Sequence, residues 1–72
     1  MTIQRTYRHP LHYTANASLD LVVIDYDDEE RVEFWVYPGT LQDFEAALYG
    51  DDETVKHFAT LWAAEREYNK MI

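Results

Sequence analysis

The sequence predicts an α+β domain, a small antiparallel sheet followed by helices. Three observations point there: two β-rich runs joined by an acidic turn, a Pro-Gly stop immediately after them, and amphipathic patterning with capping signals in the C-terminal half. All 72 residues fit one domain.

The N-terminal stretch is the least patterned. Ile3 to Tyr7 reads as a possible short strand, and His9-Pro10-Leu11 as a turn or an edge, because proline cannot donate to an inner ladder. From Leu19 to Tyr26 the run is dense in β-branched residues. Leu19, Leu21 and Val23 fall on one face and Val22, Ile24 and Tyr26 on the other, the mark of a strand buried on both sides. Asp27-Asp28-Glu29-Glu30 turns the chain, and Arg31 to Tyr37 alternates again, with Val32, Phe34 and Val36 opposite Glu33, Trp35 and Tyr37. A hairpin over 19–37 is expected. Pro38-Gly39 ends it, and Thr40 to Asp43 has the form of a capping box. The first helix is expected over about 41–49, with Leu41, Phe44 and Leu48 on one face and Gly50 at its C-terminal end. Asp51 or Asp52 is then placed to cap a second helix over about 53–70, whose stripe of Phe58, Leu61, Trp62, Glu65, Tyr68 and Ile72 faces the sheet or a twin helix.

A chain this short buries only about 60% of its unfolded surface, so its core is thin. It has no cysteine, and its aromatic content of 15% is more than a small monomer easily hides. A homodimer is expected on those grounds. Lack of cysteine, of an apolar leader segment and of a membrane-length apolar run together suit the cytoplasm.

The net charge of −8 is concentrated: residues 1–17 sum to +2, residues 18–53 to −11 and the remainder to +1. Such a block repels nucleic acid and anionic membranes, which argues against direct binding to either, and suits a basic protein groove. Catalytic and metal constellations are missing. The His9/His12 pair is separated by proline, which opposes the helix needed to converge them on a metal. Asp25 to Glu29 starts like a calcium loop, but Glu30 stands where glycine is required and Val36 where a bidentate carboxylate is required. Ser18, the sole serine, lies in no nucleophile elbow. The expectation is a non-enzymatic protein without cofactor or metal.

What remains is acids interleaved with aromatics: Tyr26 beside Asp25 and Asp27, Trp35 near Glu33, Phe44 between Asp43 and Glu45. Side chains on one strand face stand about 6.6 Å apart, a spacing of the same order as neighbouring phosphates. A row of carboxylates can then imitate a nucleic-acid backbone while aromatics grip.

The run Leu41-Gln42-Asp43-Phe44-Glu45-Ala46-Ala47-Leu48-Tyr49-Gly50, behind an acidic turn, an aromatic strand and Gly39, resembles the small dimeric uracil-DNA glycosylase inhibitors of tailed bacteriophages. The similarity spans Asp27 to about Glu53. It implies a DNA mimic that blocks the DNA cleft of a host uracil-DNA glycosylase, a base-flipping enzyme, and traps its apolar wedge in a hydrophobic pocket. By the resemblance, Phe44 and Tyr49 are contact or pocket residues, supported by Trp35 and Leu48, while Glu33, Asp27, Asp28, Glu29, Asp43 and Glu45 stand in for phosphates. Two departures are visible. The spacing from Phe44 to Tyr49 is one residue longer than the family's, a rotation of about 100° on a helix, so Leu48 is the substitute for the tyrosine's place. Trp35 occupies the position of a family glutamate, and Glu33 is the nearest acid on the same face. Two alternatives stay open: an acidic mimic aimed at another nucleic-acid-binding protein, such as a CRISPR effector, a restriction enzyme or RNA polymerase, and a dimerisation module whose charge serves solubility.

Overall fold

The computed structural model describes residues 2–72. A four-stranded antiparallel sheet runs β1 (Ile3–Tyr13), β2 (Ala17–Tyr26), β3 (Glu30–Pro38) and β4 (Lys56–Phe58), in that spatial order. A short helix α1 (Phe44–Leu48) lies between β3 and β4, and α2 (Leu61–Met71) ends the chain. The α+β class and the 19–37 hairpin are as the sequence predicts.

Alternation along β2 and β3 builds two cores, one on each face. Val22, Ile24, Trp35 and Tyr37 pack with Ala47 of α1 and Val55 on one side. Ala17, Leu19 and Val36 pack with Ala64 and Tyr68 of α2 on the other. The register Leu19↔Val36 and Asp20↔Trp35 sets which pairs share a face, and a slip of one residue would exchange the two cores. Each fully buried Leu or Val contributes about 1.5–3 kcal/mol relative to exposure.

Residues 3–13 form one long edge strand, not a short strand followed by a turn. Pro10 is accommodated because β1 pairs only with β2, and the ladder shifts between Pro10 and His12. The shift turns His12 to the α2 side, where its ring lies 5.7 Å from that of Tyr68 and its Nε2 3.7 Å from Glu65.

Both helices are shorter than the sequence predicts. Asp43 caps α1 by accepting from the Ala46 backbone N–H, so Thr40 to Gln42 remain outside the helix. Tyr49 and Gly50 close it, Gly50 at φ +79°, as the glycine signal indicates. The second helix begins at Leu61 with Thr60 as its cap, not at Glu53 with an aspartate cap. Lys56 to Phe58 are drawn instead into β4, where they satisfy the open edge of β3 opposite Phe34 to Val36. The later start takes Phe58 out of the expected stripe and into β4. Ala64 and Tyr68 face the core, whereas Trp62 and Ile72 are exposed.

Leu19→Ala is expected to cost about 2–5 kcal/mol, since its pocket is closed on both sides, whereas Trp62→Ser should stay within about 0.5 kcal/mol. Urea or thermal melts of the two variants check the pair.

Candidate protein-docking face

The face of the sheet that carries α1 also carries most of the residues singled out in the sequence. Its layer begins at Gly39, which adopts φ +67°, donates its N–H to the Asn16 carbonyl at 3.1 Å and accepts from Ser18 Oγ at 2.8 Å. These bonds tie the entry of the layer to the β1–β2 end of the sheet. Leu41, Phe44 and Leu48 then pack on the core. Phe44 stacks on Trp35, ring centroids 5.2 Å apart and planes 28° apart, with the Arg8 guanidinium 5.8 Å from its own ring centre. Tyr49, one position beyond Leu48, is 62% exposed. Phe44 and Tyr49 therefore do not share a face; Leu48 shares the packed face with Phe44, as the lengthened spacing requires.

Trp35 is wholly buried, so it has no surface of its own to offer a partner. It packs in the core beneath Phe44. The indole Nε1 donates to Glu33 Oε1 at 2.9 Å, and His57 Nδ1 lies 3.0 Å from the same oxygen, with the His57 and Trp35 ring centres 4.6 Å apart. Arg31 reaches the other carboxylate oxygen at 4.0 Å. Burial by itself would raise the Glu33 pKa; the hydrogen bonds from Trp35 and His57 and the charges of His57 and Arg31 outweigh it and hold the carboxyl below its ordinary range. Glu33 is thus engaged in the chain's own network.

The remaining acids are arranged differently. Asp27, in the β2–β3 turn, is bonded by Gln4 Nε2 and by the Thr2 backbone N–H at the start of β1, while Asp28 and Glu29 are exposed in the same turn, which closes through Tyr26 N–H to the Glu29 carbonyl at 2.8 Å. Asp43 is exposed but committed to the α1 cap, and Glu45 is exposed in the first turn. In the loop that follows, Asp52 accepts from the Thr54 hydroxyl at 2.6 Å and its backbone N–H at 3.0 Å, bonds that lower its pKa. Between Gly39 and Val55 the chain has five acids and no Lys, Arg or His. The opposite layer, α2, balances Glu65 and Glu67 against Arg66 and Lys70.

Sequence reasoning missed a second polar cluster on the same face. Asp20 is 2% exposed, and the Tyr37 hydroxyl donates to its Oδ2 at 2.6 Å. Burial, then the hydrogen bond and charge of Asp20, push the Tyr37 pKa up to about 12. The signal was available: an aspartate between Leu19 and Leu21 shares its strand face with Val22 and Ile24, so a structure that buries those residues buries it too. His57 is not singled out by the sequence either, because the pattern over 53–70 reads as helix, whereas the structure places His57 in β4 beside Trp35.

Among the described residues no helix is long and apolar enough to cross a membrane.

The Glu33 carboxylate has a folded-state pKa below its unfolded value, so its stabilising contribution is present above the unfolded value of 4.5 and is lost as pH falls through the lower folded value. Glu33→Gln is expected to cost about 1–3 kcal/mol at pH 7, by weakening the bonds from Trp35 and His57, and to shrink the loss of stability on acidification below pH 4.5. Thermal melts from pH 3 to 7 check both.

No family model matches the chain, and no curated protein or solved structure matches it either, which leaves its own geometry and charge as the guides to function.

Proposed function

We propose that the protein is a stoichiometric inhibitor that acts by occupancy and not by catalysis. Its acidic layer docks into the basic DNA-binding cleft of a host uracil-DNA glycosylase as a DNA mimic. The observation that carries this reading is the one-sided charge of the helical layers: five acids and no base from Gly39 to Val55, against a balanced α2. An acid-rich layer steers a basic partner and repels nucleic acid itself. The α1 run that resembles the phage inhibitors lies in the same layer and supports the choice of target.

In this arrangement Asp28, Glu29, Glu45, Asp51 and Glu53 are the exposed phosphate substitutes, and the exposed carboxylates of Asp27 and Asp43, each also bonded within the chain, add to the negative charge. Tyr49 is the exposed aromatic contact. Phe44, Leu48 and Trp35 form the wall behind it and hold α1 in place. Glu33 acts through Trp35 and His57, as a positioning residue.

A second reading keeps the mimicry and changes the target to another nucleic-acid-binding protein. It is favoured by one observation: Trp35 and Glu33, which the resemblance places at the glycosylase contact, are spent on internal packing and hydrogen bonds.

Titration of the protein into a uracil-excision assay with a bacterial uracil-DNA glycosylase, with gel filtration for the complex, tests the proposal. Inhibition is expected to saturate near one-to-one stoichiometry; neither inhibition nor a complex would remove the glycosylase as target. Asp51→Asn, Asp52→Asn and Glu53→Gln combined should weaken inhibition at least about tenfold, or roughly 1.4 kcal/mol, and reduce its salt dependence. Tyr49→Ala, at an exposed site, should weaken inhibition without lowering the melting temperature, while Phe44→Ala should lower both because it also unstacks Trp35.

A further inference from the structure

On the α1 face, near the β1–β2 turn, a cavity of about 240 Å³ opens between the end of β1 and the Thr40-Leu41 loop. Its floor is polar and buried: Asp20, Tyr37 and Ser18 are 2%, 5% and 8% exposed. Pro10, Tyr13 and Leu41 form its apolar walls, and Arg8 and Thr40 complete the lining.

The bonding of Asp20 is one-sided. Tyr37 donates to Oδ2 at 2.6 Å, and Arg8 Nε approaches the same Oδ2 at 3.7 Å, beyond hydrogen-bond reach. Oδ1 accepts from no described residue. Since among the described residues no fully enclosed side-chain polar atom lacks a partner, that oxygen keeps its accessible surface, and Asp20 is part of the cavity lining. A carboxylate taken almost wholly out of water is costly unless both oxygens are hydrogen-bonded. Oδ2 is bonded by Tyr37, and Oδ1 is the oxygen that a donor entering the cavity can reach.

We infer that this cavity is a binding site for an alkylammonium or alkylguanidinium group. The head donates to Asp20 Oδ1, and the aliphatic stem lies against Pro10, Leu41 and the Tyr13 ring. The volume is below the roughly 300–1,000 Å³ of drug-sized ligand sites and suits a single extended chain. Arg8 offsets part of the Asp20 charge, but its guanidinium is also drawn over the Phe44 ring, 5.8 Å from the centroid, and the chain's net charge of −8 favours a cationic guest. This chemistry has two sources: a Lys or Arg side chain from the basic cleft proposed above, or a free small amine.

The site is testable on the free chain, without any partner. In an NMR titration, n-butylammonium should give saturable amide shifts confined to Tyr13, Ser18, Asp20, Tyr37 and Thr40, and the neutral n-butanol should give none there. Asp20→Asn should abolish saturation. Because that change disturbs the Tyr37 bond and risks the fold, Thr40→Arg is the second variant. It places the chain's own guanidinium at the exposed rim and should lower n-butylammonium affinity at least about tenfold. Equal shifts from n-butanol, or unsaturable shifts spread over Asp51 to Glu53 and unchanged in Thr40→Arg, would overturn the site. In the uracil-excision titration, loss of inhibition by Thr40→Arg assigns the guest to a partner's side chain, and retained inhibition assigns it to a free amine. Absence of inhibition by the unaltered protein would sink the target and leave the n-butylammonium result standing.

Discussion

The structure depends on the β2–β3 ladder, paired without a break from Ala17↔Pro38 to Asp25↔Glu30. These two strands supply most of the buried residues of both cores, so one register decides two packing surfaces at once. Everything else is attached to it. β1 covers one edge, β4 the upper part of the other, and the two helical layers cap opposite faces. In a chain this small neither face would suffice alone, and a sheet buried on both sides recovers apolar area that a one-sided sheet would leave wet.

The two faces solve burial in different ways. The α2 face is almost purely apolar and is fastened at its rim by Lys56 with Glu67, 2.8 Å apart, and His12 with Glu65. The α1 face takes two carboxylates into or near its core, Glu33 and Asp20, and gives each an aromatic donor, Trp35 and Tyr37. Buried polar pairs of this kind add little net stability but are costly to break. They make the placement of the α1 layer specific, because an alternative packing would strand the indole N–H or a carboxylate. The short helix needs that help. At five residues it has too few internal bonds to persist without tertiary contacts.

The division bears on the proposed docking role. Most of the residues that hold the α1 layer, Phe44, Leu48, Trp35 and Glu33, are distinct from those it displays, Tyr49, Glu45, Asp51 and Glu53, while Asp43 both caps α1 and remains exposed. A packed support beneath exposed charges suits recognition by electrostatic complementarity, in which ordering cost is kept low.

By itself the sequence determined the hairpin, the two-faced character of β2, the end of β3 at Pro38-Gly39, the glycine stop after α1 and the segregation of charge. Each follows from local alternation, backbone conformational preference or simple composition. Tertiary structure decided the rest. Thr54 to Thr60 look helical only when α2 is extended backward from its clear core at Ala64 and Tyr68; the unpaired edge of β3 recruits Lys56 to Phe58 as a strand instead, since backbone groups there need partners that no local signal announces. The outward side of Tyr49 and the inward side of Phe44 depend on where a five-residue helix meets the sheet. The cluster of Asp20, Tyr37 and Arg8 joins residues from three strands, so its cavity exists only through the register that brings them together.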